Sequence, residues 1–588
     1  MRLKLLFAMV CISALDMYGQ ALNQSEWLWN IKVENTSIID SKPLSFVDKD
    51  NNYFMVGNFN GATTSIQGTT LQNTSLPAGT AIVGDAFIAK FDENGTFLNV
   101  KHFGGSRNEV ITSVDYDGDA HYYIAGAFNG TMDLGSGTVL ENTDLYATKT
   151  FIAKYTLSGT LVWSKVFDQY VGNGYVKYKN DKLYFAANYG YDQLSFDGVT
   201  LPVANYSPTI AGMDKNLVAR FDASNGALQW VSSSRYTGPY TSISADRIGA
   251  QIRTMTVDNN GNVYIAGEFF SRSVTFGSIT LNRTSSSNSN LFFVRYDNTG
   301  AVAWAKTAAT SGGADSKVED LAVDAANDVY LAGRVYNSSA NFDGTILQFP
   351  GNYGGFLVKY NTAGSLVWAR RAGISSDQAP TTGLSLSRLS KLHIDAQDNV
   401  YVGGSFYKYL NLAPNFVYNL SNQFYLLLAK YSKQGVVQSC EIYPCEPNGV
   451  RDLKVLNSTA DNFSVVSDLS IDFQLNNLPI AAEQKNRLYI AKRDVVTAGS
   501  EDFDKTAFSV YPNPAMESLF VKGIETLDDQ LQFSIFDFNG RKISKTEKQT
   551  VMEKGIDVSK LAGGVYFLRI EDAKGNVKQH SKFIKNNQ

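Results

Sequence analysis

The chain has 588 residues but only four His, three Cys and thirteen Pro. Each shortage excludes something. No H-E-x-x-H zinc motif is present, and neither is a G-x-S-x-G nucleophile elbow or a phosphate-binding loop. Charged residues make up 18% and the net charge is -4, which leaves no basic footprint for nucleic acid or anionic lipid. After the N-terminus no stretch is long and apolar enough to cross a membrane. Two of the cysteines, Cys440 and Cys445, lie close together with no His nearby. In a secreted chain such a pair is most simply expected to form one short-loop disulfide, with free thiols as the alternative, rather than a metal site.

The N-terminus indicates secretion. Arg2 and Lys4 precede a mostly apolar run, Leu5 to Leu15, and Gly19 or Ala21 supplies a small residue for cleavage. Residues 1–20 are read as a signal peptide. Glycine (48), Tyr (32) and Phe (35) are abundant, which favours strands and turns. The length is too great for one ordinary core.

A repeat accounts for most of that length. A strand ending in a basic residue recurs as FIAKF, FIAKY, LVARF, FFVRY, FLVKY, LLAKY and YIAKR. Its basic positions are Lys90, Lys154, Arg220, Arg295, Lys359, Lys430 and Lys492, separated by 64, 66, 75, 64, 71 and 62 residues. Such a period indicates a propeller or a solenoid. A Gly-containing turn and another strand usually follow, carrying Trp163, Trp230, Trp304 or Trp368. Packing between neighbouring units is the expected role of these tryptophans. Ahead of each marker lies a hairpin signature such as VDNNGNVYIAGEF at 257–269.

Four strands per unit, repeated seven times, predict an all-β, seven-bladed β-propeller over residues 21–500. The first recognisable strand, at 27–32, matches the last strand of a unit, and the final unit stops one strand short. Residues 27–32 are therefore expected beside 487–493, closing the ring. An open solenoid would leave them far apart. The pattern resembles secreted bacterial β-propeller repeat families, a resemblance that implies fold and says little of function.

Residues 501–507 form a polar linker. A small β-sandwich is expected over 508–588, built from short alternating strands. YPNP (Tyr511, Pro512, Asn513, Pro514), the turn with Asn539, Gly540 and Arg541, the strand with Gly564 and Tyr566, and the basic tail with Lys582 and Lys585 occur in this order. They resemble the type A C-terminal sorting domain of the type IX secretion system. The resemblance implies engagement with that machinery and export through the periplasm of a Bacteroidetes-type cell. It also implies removal of the domain, with attachment to the outer-membrane surface or release.

Other candidates carry less chemistry. The Asp/Asn turns at 115–119 and 258–262 could hold calcium, but they lack the full loop with its closing Glu, so hairpin turns are the default and no cofactor is assigned. The recurrent Asp48, Asp115, Asp258, Asp324 and Asp395 are expected to pair with the basic markers inside each unit. Tyr189, Tyr191, Tyr236, Tyr240, Tyr353 and Tyr407 are candidate ligand contacts in loops. No convincing catalytic residue is found. The expected function is a monomeric, secreted or surface β-propeller that binds a glycan or protein in an adhesive role. The alternative is an extracellular polysaccharide hydrolase or lyase, since paired carboxylates need no motif. Features shared by every copy build the scaffold, so function is expected where the copies differ, in excursions such as 60–84, 129–149 and 335–355.

Overall fold

The structure is a computed structural model. It describes residues 27–33, 44–74, 84–144, 148–167, 171–172, 174–189, 194–201, 213–236, 248–284, 289–310, 316–373, 386–412, 417–445, 450–458, 462–469, 474–475, 478–479, 487–494, 509–522, 524, 531–537, 542–571 and 577–586. The signal peptide, the 501–507 linker, Tyr191, Tyr240, Asn539, Gly540 and Arg541 lie outside these residues. The chain divides into two units, Met1–Val495 and Val496–Gln588.

The fold is all-β, with one helix among the described residues, Lys548–Lys554. In the larger part the strands group in fours. The first unit is Leu44–Val47, Tyr53–Phe59, Asp85–Phe91 and Phe97–Phe103, each antiparallel to the next. The same meander recurs in units starting at Glu109, Tyr175, Ile248, Lys317 and Leu386. The last unit has Val450–Ser458, Asn462–Leu469 and Arg487–Asp494, and takes its fourth strand from the other end of the chain. That strand is Trp27–Val33, in antiparallel register with Trp29 opposite Lys492 and Val33 opposite Leu488. The pairing read from the sequence is present. The hydrogen-bonded sheets themselves do not close.

Hydrophobic cores lie between units rather than within them. Phe46, Phe54 and Val56 of the first unit pack with Ile111, Tyr122 and Phe151 of the second. Tyr264 and Phe293 pack with Leu331 and Tyr360 in the same way. Ile31 and Val33 of the N-terminal strand join Tyr53, Phe59 and Phe87 of the first unit. This arrangement follows from alternation. Each inner strand is buried on both faces, as in the BBBBBBB pattern of Val263–Phe269, because each face meets a different neighbour.

The tryptophans carry out the stitching expected of them. Trp163, Trp230, Trp304 and Trp368 donate Nε1–H to the carbonyls of Ala223, Asn298, Thr362 and Lys433, at 3.0–3.2 Å. Each acceptor lies in the last turn of the next unit. The indole also lies against that turn's left-handed glycine. A Cβ on Gly364 (φ +83°) would sit 3.1 Å from Trp304. Trp304→Ala removes both contacts and is expected to cost about 2–4 kcal/mol in urea unfolding. A change within about 0.5 kcal/mol would show that the indole does not couple the units.

The smaller part is a sandwich of a three-stranded and a four-stranded sheet. Leu519, Phe533, Ile535, Leu568, Ile570 and Phe583 form its core.

Candidate functional site

Antiparallel register assigns the turns and loops to two ends of each unit. At one end lie the turn between the first and second strands and the turn between the third and fourth. At the other end lie the excursions and the links to the next unit.

At the turn end, four units share one turn. Asp258 accepts backbone N–H bonds from Asn260 and Asn262, both at 2.9 Å, and Asp48, Asp324 and Asp395 repeat the arrangement. These aspartates hold hairpins. In the second unit the role belongs to Asp117, not Asp115. Asp117 receives the N–H groups of Asp119, Ala120 and His121. Asp115 instead meets Lys177 at 3.1 Å and the backbone of Tyr178 in the next unit. The signal was available: the turn Asp stands six residues before an aligned aromatic, as in Asp258 and Tyr264, and Asp117 with Tyr123 keeps that spacing.

The expected ion pairs form in only some units. Lys90 lies 3.5 Å from Asp48, and Lys359 lies 2.8 Å from Asp324 and 3.0 Å from Asp328. Lys154 and Arg220 instead bond carbonyls of the next unit, those of Ala223 and Asn298. The third unit has no turn Asp. Its Asn180 and Asp181, both at positive φ, make a two-residue turn.

The excursion end is where units diverge. One position there varies at the close of the second strand, after the paired small residues: Asn58, Ala127, Asn188, Glu268, Arg334 and Ser405. Beside it, several first strands carry a β-bulge, around Thr112, Arg253, Glu319 and Ser390. A bulge leaves one residue outside the ladder and re-aims its side chain. In most units the two positions satisfy backbone. Asn58 accepts from Ile111 N–H at 3.1 Å, Asn188 from Ile252 N–H at 2.9 Å, and Thr112 donates to Gly174 O at 3.0 Å.

In the units starting at Ile248 and Lys317, charge replaces that service. Arg253 Nε donates to Glu268 Oε1 at 2.7 Å and its Nη2 donates to Gln251 at 2.9 Å. Glu319 lies 3.6 Å from Arg334 and 3.3 Å from Arg388 of the following unit. The Arg334 guanidinium lies 5.3 Å from the Tyr353 ring centre, close enough for a cation–π contact. Tyr353 in turn packs on Tyr336 at 4.7 Å. Arg334, Tyr353, Ser387, Arg388, Ser405 and Phe424 line a cleft of about 230 Å³.

Glu268 is 1% exposed, and its Oε2 has no hydrogen-bond partner among the described residues. Burial pushes its carboxyl above the usual range. Arg253 and Lys317 oppose that, and Glu319 adds to it. The folded state therefore holds a proton that the unfolded chain releases near an ordinary carboxyl value of about 4.3. The stability this proton brings is complete below that value and is lost as pH rises through the raised one. Glu268→Gln cannot ionise. Its unfolding free energy should gain on the parent's as pH rises above about 4.3. A difference that stays constant with pH would contradict the shift.

This chain of charges was missed in the sequence, because its members come from three repeats and from bulges that no spacing announces. The cysteine reading requires correction. Cys440 and Cys445 stand on one strand, Val437–Cys445, opposite Ala429 and Phe424. Five extended residues separate their Cα atoms by about 16 Å, against the ~4.4–6.8 Å of a disulfide. Among the described residues no group of three His, Cys, Asp or Glu is placed to hold a metal.

In the terminal sandwich, several of the described motif residues meet along the last strand, Val577–Lys585. Asn513 Oδ1 accepts from Ile584 N–H at 2.9 Å, and Ala515 N–H donates to Ile584 O at 2.7 Å. Gly564 stands opposite Lys585, and Tyr566 stacks on Phe583 at 5.7 Å. Pro512 and Pro514 are exposed in the lead-in that brings Asn513 to the final strand. Tyr511 is stacked on Phe520. Lys582 stands opposite Phe567 in the register.

No helix among the described residues is long and apolar enough to cross a membrane. An uncharacterised WD repeat-containing protein of Acanthamoeba polyphaga mimivirus is 24% identical over 467 residues, covering 69% of this chain and 32% of that protein. The chain thus spans about a third of that relative's length. Among solved structures, PorZ, an essential bacterial surface component of the type IX secretion system of Porphyromonas gingivalis, is 11% identical, with 94% of this chain and 100% of that chain covered and a TM-score of 0.20. The plexin A4 extracellular region is 9% identical, with coverage of 96% and 67% and a TM-score of 0.38. Neither likeness is strong enough to bear on fold or function. The family described as the secretion system C-terminal sorting domain matches residues 509–586. Residues 509–586 are a type IX secretion system C-terminal sorting domain, and that domain marks the chain for export to the cell surface or beyond.

Proposed function

We propose that the mature protein is a monomeric, closed seven-bladed β-propeller, exported by a Bacteroidetes-type cell, that binds a glycan or protein ligand in an adhesive role. The signal peptide at 1–20 begins that route, and the sorting domain is removed in the 501–507 linker. Ring closure is supported by the pairing of Trp27–Val33 with Arg487–Asp494 and by the first strand of the last unit lying beside that of the first.

One observation carries the binding reading. At one end of the units the tight turns repeat in four copies, whereas the excursions and the variable position gather at the other end. Scaffold chemistry is repeated, and binding chemistry is individual. The alternative, a polysaccharide hydrolase or lyase, draws on the electrostatic coupling of Glu268 with Glu319. Burial of Glu268 disfavours it, since that carboxyl is closed to a substrate. A binding screen of the exported protein against glycan and host-matrix arrays, with product analysis of each bound polysaccharide, separates the two. Binding without turnover supports the proposal. Turnover supports the alternative, and an absence of any binding overturns both.

A further inference from the structure

We propose that the cleft where the first unit meets the second is a subsite for one uncharged sugar unit of a glycan, held by His102 and Asp133. This deepens the binding reading above and rests on it.

Position is the first ground. The cleft lies at the excursion end and holds about 380 Å³, within the ~300–1,000 Å³ of small-molecule sites. Thr74, just past the strand Thr69–Gln72, and His102, on the strand Phe97–Phe103, form one wall. The link residues Gly104 and Gly105 form the floor. Thr131, Asp133 and Val139, from the second unit's excursion hairpin, form the other wall. That hairpin is fastened to the link. Asp133 N–H donates to Gly104 O at 2.8 Å, and Ser106 N–H donates to Thr131 O at 3.3 Å. A Cβ on Gly105 would collide with the Thr131 carbonyl, so glycine permits this approach.

Hydrogen bonding is the second ground. Asp85 is fully buried, and its Oδ2 accepts the Thr74 N–H at 2.8 Å and the Thr74 hydroxyl at 2.9 Å. His102 Nε2 lies 2.7 Å from the same oxygen. An oxygen already accepting two donors fixes the ring: Nε2 carries the proton and donates, and Nδ1 keeps its lone pair. Among the described residues Nδ1 has no hydrogen-bond partner, and the side chain is 27% exposed. Asp133 gives Oδ1 to the Gly135 N–H at 2.6 Å and leaves Oδ2 without a hydrogen bond among the described residues. Lys101 acts on Asp133 only at longer range, its ammonium lying over the rings of Phe103 and Tyr155. The cleft thus presents two unused acceptors, and neither Lys nor Arg is among its lining residues. Sugar hydroxyls are donors that suit those acceptors, whereas an acidic sugar would meet the Asp133 carboxylate. The His102 ring and the exposed Val139 offer apolar contact to the C–H face of a pyranose. The third ground is that the pair belongs to this unit alone. In the same register the other units have Val166, Ser233, Thr307, Arg371, Ile442 and Lys32 in place of His102. In place of Asp85 they have Lys149, Lys215, Asn290, Gly354, Tyr425 and Arg487. The repeated scaffold therefore does not require the pair.

The test uses the full-length exported protein with mannan, laminarin and dextran as neutral probes, polygalacturonate as the acidic arm and chitosan as the cationic arm. The parent is expected to bind at least one neutral polymer more tightly than either charged one. Asp133→Asn sets a donor where Oδ2 accepts, and it should weaken that binding at least tenfold. Asp133 is exposed, so this variant should keep the parent's thermal midpoint. His102→Gln keeps an amide donor for Asp85 but loses the ring, and a several-fold loss is expected. Asp343→Asn, in the excursion turn of another unit, should bind as the parent does. Undiminished binding of the neutral polymer by both Asp133→Asn and His102→Gln overturns the subsite. So does tighter binding to polygalacturonate or chitosan than to every neutral polymer. Binding to protein alone overturns the subsite while leaving the wider binding reading intact. Absence of all binding overturns both.

Discussion

A chain ending at residue 507 is expected to accumulate in the periplasm of a cell carrying type IX machinery, with surface and medium levels falling to background. The sorting domain is a folded object, not a linear tag. Its N-terminal strand, Ser509–Tyr511, pairs with Ser518–Lys522, while Asn513 and Ala515 clip the lead-in onto the last strand, Val577–Lys585. The fold of this domain therefore joins both ends of the 509–586 segment. The larger part keeps its own cores, so the truncated protein should still fold. Fractionation with a periplasmic marker, together with protease resistance of the retained protein, reads both points. Normal secretion of the truncated chain would refute the role of the domain.

Removing residues 27–33 is expected to prevent stable folding of the larger part. Six residue pairs of ladder with Arg487–Asp494 disappear. At about 1 kcal/mol net for each hydrogen bond, that is several kcal/mol. Ile31 and Val33, 1% and 0% exposed, leave the core they share with the first unit. Each buried aliphatic side chain is worth about 1.5–3 kcal/mol. The sum approaches the ~5–15 kcal/mol of an entire domain. The strand 487–494 would also become an unpaired edge, which invites aggregation. The expected readout is loss of soluble secreted protein, or a broad transition many degrees below the parent's. A cooperative transition within a few degrees of the parent would contradict the closing role of this strand.

The scaffold was readable because it is repeated. Seven marker strands averaged away local noise, and the recurring Trp revealed a contact confirmed in four pairs of units. The tail was readable because YPNP and the later motifs keep their order. The errors have physical causes. Asp115 and Asp117 are two residues apart on a strand that runs into its turn, so identity alone did not choose between them, whereas spacing to the aromatic would have. Cys440 and Cys445 looked like a short loop because sequence proximity says nothing about extension, and an extended strand holds them apart. The charged cleft was hidden for a different reason. Arg253 and Glu319 face their partners only because bulges turn them, and Arg388 reaches Glu319 only because separate units adjoin.

The two ends of the larger part meet where Trp27–Val33 pairs with Arg487–Asp494. Lys32 stands opposite Tyr489, 457 residues away in the chain. Opposed cross-strand Cβ atoms lie about 4.5–5.5 Å apart, near enough for a disulfide after small adjustment. Lys32→Cys with Tyr489→Cys, in a background with Cys440→Ser and Cys445→Ser, is the direct measurement. An intramolecular cross-link is expected, formed on oxidation of the folded protein and seen as a linked 32–489 peptide pair by mass spectrometry. Two thiols that stay free and reactive in the folded, oxidised protein would contradict it.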